Sequence, residues 1–171
     1  MPARENIVDP TQLDFDSPVA DAAAIRKVNP QRDHMEQLTA ILWIDQQSQT
    51  CVGYKDITDE EFWVSGHMPG APLMPGVVMC EAAAQVCSYY AHSVGLLGDG
   101  IVGFGGLEGV RFRGIVRPGD RLVIATKVRQ TRRHRMAVWA FQGFVGESIA
   151  CEGEVRGVQL PKDALAPGSN G

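Results

Sequence analysis

The chain has 171 residues, 44% of them hydrophobic and 21% charged, with a net charge of −4. That length fits one domain able to bury about two-thirds of the surface its unfolded form exposes, and the composition is ordinary for a globular protein. No apolar run reaches the roughly 18–20 residues of a membrane span, and the N-terminus lacks the basic-then-apolar pattern of a secretory signal, so a cytoplasmic location is expected.

Residues 1–24 read first as a flexible N-terminal arm, polar and acidic, with Asp9, Asp14 and Asp16 among prolines 2, 10 and 18. A short helix is expected over 20–28, stopped at Asn29-Pro30, because proline disfavours a helical residue before it. Residues 38–45 and 50–57 have the composition of a strand pair around Gln46-Gln47-Ser48. A loop of three prolines and three glycines follows at 66–76. It opens into a helix predicted over 75–94, where Pro75 suits a helix start and Gly95 a left-handed stop. That helix is apolar or small nearly all the way round, so it is expected to be buried on most faces. Glu81 and Gln85, one turn apart on the same side, are its polar exceptions.

Four β-rich segments, 102–112, 121–130, 136–145 and 148–158, complete the pattern, with Pro118-Gly119-Asp120 and Gly146-Glu147 as turns. Residues 161–171 read as a disordered tail. One long helix followed by a run of antiparallel strands implies an α+β domain over 25–160, with a sheet wrapped around the helix. Cys51, Cys80, Cys87 and Cys151 form no CxxC pair or zinc-like spacing. Cys80 and Cys87, seven apart on the helix, are expected to pack as small hydrophobes, and no metal site or structural disulfide is expected.

Residues 111–135 hold nine of the 16 Lys and Arg against one acid, Asp120, a local balance of +8 while the rest sums to −12. Such a face suits an acidic partner met through long-range steering; a solvated sheet face is the other reading. No recognition helix or aromatic pattern accompanies the charge, so nucleic acid is not the expected partner.

The chemistry-bearing residues cluster in 66–85. A carboxylate in an otherwise apolar helix is costly unless paired, protonated or used, so Glu81 is either a proton donor to a departing hydroxyl or a structural acid bonded to Gln85. His67 can take a proton near neutral pH and sits on a backbone fixed by its Pro-Gly surroundings; a solvated loop histidine is the alternative. Gly76 lies in the first helical turn, where the backbone N–H is unpaired within the helix and points outward with the positive end of the dipole. It could hold a developing oxyanion, or serve only the tight turn. His34, His92 and His134 lack such a setting and are read as structural.

The run Gly66-His67-Met68-Pro69-Gly70-Ala71-Pro72-Leu73-Met74-Pro75-Gly76-Val77, continuing to Glu81, Ala84 and Gln85, resembles the signature G-H-F-P-G-x-P-x-M-P-G-V-x-x-x-E-x-x-A-Q of the FabZ-type 3-hydroxyacyl-[acyl carrier protein] dehydratases. Pro30-Gln31-Arg32 is similar to the family's P-H-R. Residues 104–112 resemble its F-x-G-I-D-K-A-R-F, and Arg117-Pro118-Gly119-Asp120 its V-x-P-G-D. The resemblance spans roughly 25–160. It implies the hot-dog fold, a long central helix wrapped by a curved antiparallel sheet, in homodimers that often assemble as trimers of dimers.

On that resemblance, His67 removes the α-proton of a (3R)-hydroxyacyl thioester and Glu81 of the other subunit protonates the leaving hydroxyl. Gly76 N–H binds the carbonyl and Gln85 orients Glu81, with no cofactor and no metal. Glutamate at 81, where the isomerising FabA branch usually has aspartate, favours a simple dehydratase. Three departures stand out: Gly109 replaces the family's lysine, Gln31 its histidine, and Met68 an aromatic where the acyl tunnel is expected. Arg111, Arg113, Arg132, Arg133 and Arg135 are the candidates for docking an acidic acyl carrier protein. The alternatives are a hot-dog thioesterase or acyl-CoA hydratase, and a non-catalytic homologue that binds acyl chains or a carrier.

Overall fold

The computed structural model describes residues 5–165. Seven strands and two α-helices follow in chain order: β1 (Ala20–Asp21), α1 (Ala22–Arg26), β2 (Ala40–Asp45), β3 (Thr50–Asp56), α2 (Gly76–Ser93), β4 (Ile101–Phe112), β5 (Arg121–Arg132), β6 (Met136–Val145) and β7 (Ser148–Leu160). The strands form one antiparallel sheet in the order β1-β2-β3-β5-β6-β7-β4. The predicted elements are all present, most within two residues of their expected ends; α1 is shorter, spanning 22–26.

Helix α2 begins after Pro75, which sits in extended conformation (φ −60°, ψ 137°) and supplies the first turn's acceptor, its carbonyl receiving Val78 N–H at 2.9 Å. At the other end Gly95 takes φ +63°, and Leu96 N–H turns back to Ala91 O at 2.8 Å. A left-handed residue with this returning bond satisfies carbonyls that would otherwise be orphaned. Met79, Ala82, Ala83, Val86, Cys87 and Ala91 are all buried. Their small size brings the sheet close: a Cβ on Gly53 of β3 would lie 3.2 Å from Val86 Cγ2 and 3.0 Å from Ile41 Cδ1.

Strand alternation sorts the sheet into two faces, as a period of two requires. Cys51, Leu122, Ile124, Trp139 and Phe141 pack inward with α2. Val52, Tyr54, Val123, Ala125 and Phe144 face outward into a second apolar cluster. All four cysteines are buried, and burial pushes their thiols upward, Cys80 to about 11 and Cys151 to about 12.

The outer cluster is covered by the segment expected to be a flexible arm. Ile7, Val8, Leu13 and Phe15 pack against it, and Ile7 N–H donates to the buried Gln142 Oε1 at 2.7 Å. Phe15 meets Tyr54 edge-on at 5.5 Å, and the Arg121 guanidinium stacks on both rings, at 4.7 and 4.3 Å. Acidic residues between these apolar ones give the segment its polar composition, but its apolar side chains have a surface to cover. Residues 1–4 of that arm, and 166–171 of the expected tail, lie outside the described residues; Lys162–Leu165 form a 3-10 turn.

Replacing Phe15 with alanine should therefore lower the unfolding free energy by roughly 1–2 kcal/mol in urea titration, since the ring is only half buried. A loss under about 0.5 kcal/mol, the ordinary surface range, would mean the segment does not help hold the fold.

Candidate active site

His67 is held from both sides by its own loop. Its backbone N–H donates to Trp63 O at 2.8 Å, and its carbonyl accepts from Leu73 N–H at 2.9 Å. The ring nitrogen Nδ1 lies 2.8 Å from Leu73 O. A carbonyl can only accept, so Nδ1 carries the proton in this bond, and in the neutral ring Nε2 keeps its lone pair. The loop thus fixes a tautomer suited to taking a proton. The next residue, Met74, is buried and ties the loop to the sheet side through Val116 O at 2.8 Å.

Glu81 is half buried in the second turn of α2. Its Oε1 accepts from Gln85 Nε2 at 2.8 Å. Gln85 is only 2% exposed and fully engaged: Nε2 also donates to Met35 O at 2.6 Å, and Oε1 accepts from Gln37 N–H at 2.9 Å. Because a backbone N–H can only donate and a carbonyl only accept, these bonds dictate which way the amide faces. Gln85 therefore presents a donor to Glu81 and cannot turn away. The helix carbonyl of Gln85 accepts in turn from Asn29 Nδ2 at 2.9 Å. Arg32 closes the same loop by donating to the carbonyls of Asn29, Gln31 and Arg26 at 2.6–2.8 Å.

Asn29, Gln37 and Arg32 had no assigned part in the site; Arg32 lies in the Pro30-Gln31-Arg32 pattern and Asn29 beside it, while nothing in the sequence pointed to Gln37. Together they anchor the segment 29–37 against the side of α2 that carries Glu81.

Gly76 opens α2 beneath the Phe112 ring, and a Cβ there would come within 2.5–2.8 Å of three ring carbons. Any larger residue at this point would have to displace the exposed Phe112 ring at the end of β4. Met68, Val77, Phe104, Leu107, Phe112 and Ile115 are all exposed, Val77 by 74%. Three of them lie on β4, a 12-residue edge strand, and three on the segments flanking it and the start of α2. Glu81 lines a cleft of about 90 Å³ with Ala84, Ser88, Phe104 and Trp139, and His67 is not among its walls. The two candidate residues therefore do not share this cleft.

The five arginines separate. Arg113 is committed to Glu152, 3% exposed, which accepts from its Nε at 2.8 Å and Nη2 at 2.5 Å. An uncompensated buried carboxylate is strongly destabilising, so this guanidinium, itself about half exposed, serves the fold by compensating Glu152. Arg111 is exposed on β4 beside it, opposite Glu152 in register. Arg132, Arg133 and Arg135 are exposed at the β5–β6 turn, where Met136 aligns with Val158 and Val158 with Gly103. Gly103 and Phe112 are nine residues apart on β4, about 30 Å of strand.

His92 is half buried, and burial lowers its pKa below the ordinary histidine value. No cluster of His, Cys, Asp and Glu suited to a metal occurs among the described residues. No helix among them is long and apolar enough to cross a membrane.

The FabA-like domain family matches residues 29–154. This chain belongs to the FabA-like family. It is 36% identical to the 3-hydroxyacyl-[acyl-carrier-protein] dehydratase FabZ of Moorella thermoacetica over 132 residues, 77% of this chain and 91% of that protein. It is 35% identical to the FabZ of Thermomicrobium roseum over 149 residues, 84% of this chain and 95% of that one.

Among solved structures, this FabA-like chain is similar to the dehydratase heterocomplex ApeI:P from Xenorhabdus doucetiae, with a TM-score of 0.69 and 14% identity over 82% of this chain and 93% of that one. A sigma28-regulated virulence protein from Campylobacter jejuni gives a TM-score of 0.63 and 17% identity, covering 86% and 96%. At these identities the structural likeness shows the fold, the expected hot-dog arrangement.

Replacing Gln85 with leucine should cost about 1–3 kcal/mol in chemical denaturation, because Gln37 N–H would be left buried without its partner. A loss below about 0.5 kcal/mol would show that the 29–37 segment is held by other contacts.

Proposed function

We infer that this protein is a FabZ-type hydro-lyase, converting (3R)-hydroxyacyl thioesters on acyl carrier protein to trans-2-enoyl thioesters in fatty acid biosynthesis, in the cytoplasm. The observation that carries the reading is the fixed tautomer of His67, in a chain of this family whose Glu81 is oriented by Gln85. His67 Nε2 takes the proton from C2, and that C–H electron pair becomes the C2=C3 double bond. The C3–O bond breaks as Glu81 gives its proton to the hydroxyl, which leaves as water. The Gly76 N–H, at the positive end of α2, holds the thioester oxygen as it gains negative charge.

The second copy of the chain is part of this reading. Each protomer contributes His67 with Gly76, and its partner contributes Glu81 with Gln85. The unpaired edge of β4 and the exposed Phe104, Leu107, Phe112, Met68 and Val77 support a homodimer formed along that edge. Met68 would then line the acyl path where it passes between subunits. Arg111 and the exposed turn of Arg132, Arg133 and Arg135 supply the positive charge for an acidic carrier.

The test is hydration of crotonyl thioesters, on acyl carrier protein and on coenzyme A. The carrier substrate should be preferred by the wild type, and kcat should fall by at least roughly 100-fold in His67→Ala and in Glu81→Gln, the usual range for an acid or base. Changing Arg132, Arg133 and Arg135 together to glutamate should raise KM for the carrier substrate only. Full activity in either single variant would remove that residue from the mechanism, and an unchanged KM would remove the turn from docking.

A further inference from the structure

Among the described residues six buried side-chain polar atoms have no hydrogen-bond partner, and three of them, Gln31 Oε1, Ser88 Oγ and Trp139 Nε1, belong to residues lining the cleft beside Glu81. Ser88 is 4% exposed and Trp139 is fully buried, so in the single chain neither is open to bulk solvent. Leaving such atoms unpaired costs stability, and apolar replacements would fit a plain alkyl tunnel better.

Ser88 makes the point within one helix. Ser93, five residues on, donates back to Tyr89 O at 2.7 Å, as a helical serine commonly does; Ser88 Oγ makes no bond of that kind. The Trp139 indole is set in place by Gly157, where a Cβ would come within 2.9 Å of Cζ3 and 3.0 Å of Val102 Cγ1. Gln31 stands where the family pattern has histidine.

We propose that this cleft is a polar acyl subsite, built for 3-hydroxyacyl thioesters whose chain carries a second hydroxyl beyond C3. The proposal rests on the dehydratase reading above and names its substrate class. An indole N–H only donates, an amide oxygen only accepts, and a serine does both. A hydroxyl, with two lone pairs and one proton, can accept from Trp139 and Ser88 and donate to Gln31, whereas a methylene answers none and a ketone leaves Gln31 unpaired. Glu81 and Ser88 are two turns apart on α2, about 10 Å of helix rise. With C3 at Glu81, the second hydroxyl lies several carbons further along the chain.

The experiment compares kcat/KM for hydration of trans-2-enoyl thioesters of equal length, bearing no hydroxyl or one hydroxyl at successive carbons. The wild type should favour one hydroxylated chain by roughly tenfold or more, the discrimination expected when a lost hydrogen bond leaves buried groups unpaired. In Ser88→Ala and Gln31→Leu that preference should fall toward parity, chiefly through KM. Alanine suits a helix, so Ser88→Ala keeps the test valid if the Gln31 variant folds poorly.

Hydration of the short crotonyl thioester by the wild type, without any preference among the longer chains, would overturn this proposal and leave the dehydratase standing. A preference unchanged in Ser88→Ala would also overturn it. Absence of crotonyl hydration would overturn the dehydratase reading and this subsite with it.

Discussion

The near-complete burial of α2 is the constraint on which the other features depend. A helix enclosed on most faces cannot carry a carboxylate or a side-chain amide without giving it partners, and this one carries one of each. Gln85 is satisfied by backbone groups of residues 35 and 37 and by Glu81, so the polar cost of burying it is offset by fixing a segment whose only regular structure is the short 3-10 turn Asp33–Met35. Glu81 is then the one carboxylate of the helix, oriented by a neighbour that cannot rotate. The same enclosure favours small residues along α2 and glycine at position 53 beneath it.

The two ends of α2 serve different purposes. Its first turn meets the 66–76 loop and Phe112, where a glycine and a clamped histidine leave backbone and imidazole groups for chemistry. Further along, the side of the helix that carries Glu81 and Ser88 borders a cleft against β4, β6 and β7. His67 does not line that cleft, and under the proposed mechanism a single chain then offers the candidate base at one place and the candidate acid at the other. The long edge of β4 and its exposed apolar side chains are where a second copy would complete both halves.

Much of this was legible in the sequence, and the reason is locality. The extent of α2 follows from Pro75, Gly95 and a continuous apolar run, and the strand boundaries follow from turn residues beside them. The candidate acid and base lie within one 20-residue segment. Features that depend on distant pairs were not legible. Ile7, Val8, Leu13 and Phe15 read as part of a loose polar arm because nothing near them in sequence announces the outer sheet face they cover.

Arg113 read as a free positive charge because Glu152, which it neutralises, is 39 residues away. The bonds of Gln85 to Asn29 and Gln37 span 56 and 48 residues. In each case the composition was right and the partner was invisible.

The central claim is that one catalytic centre draws its base from one subunit and its acid from another. Mixing His67→Ala and Glu81→Gln proteins under conditions that exchange subunits tests it directly, with crotonyl thioester hydration as the readout. Each variant alone should be nearly inactive, and the mixture should recover about a quarter of wild-type activity, because half the dimers are mixed and each mixed dimer has one intact centre. No recovery, with subunit exchange verified independently, would place both residues of each centre in one chain and contradict the account.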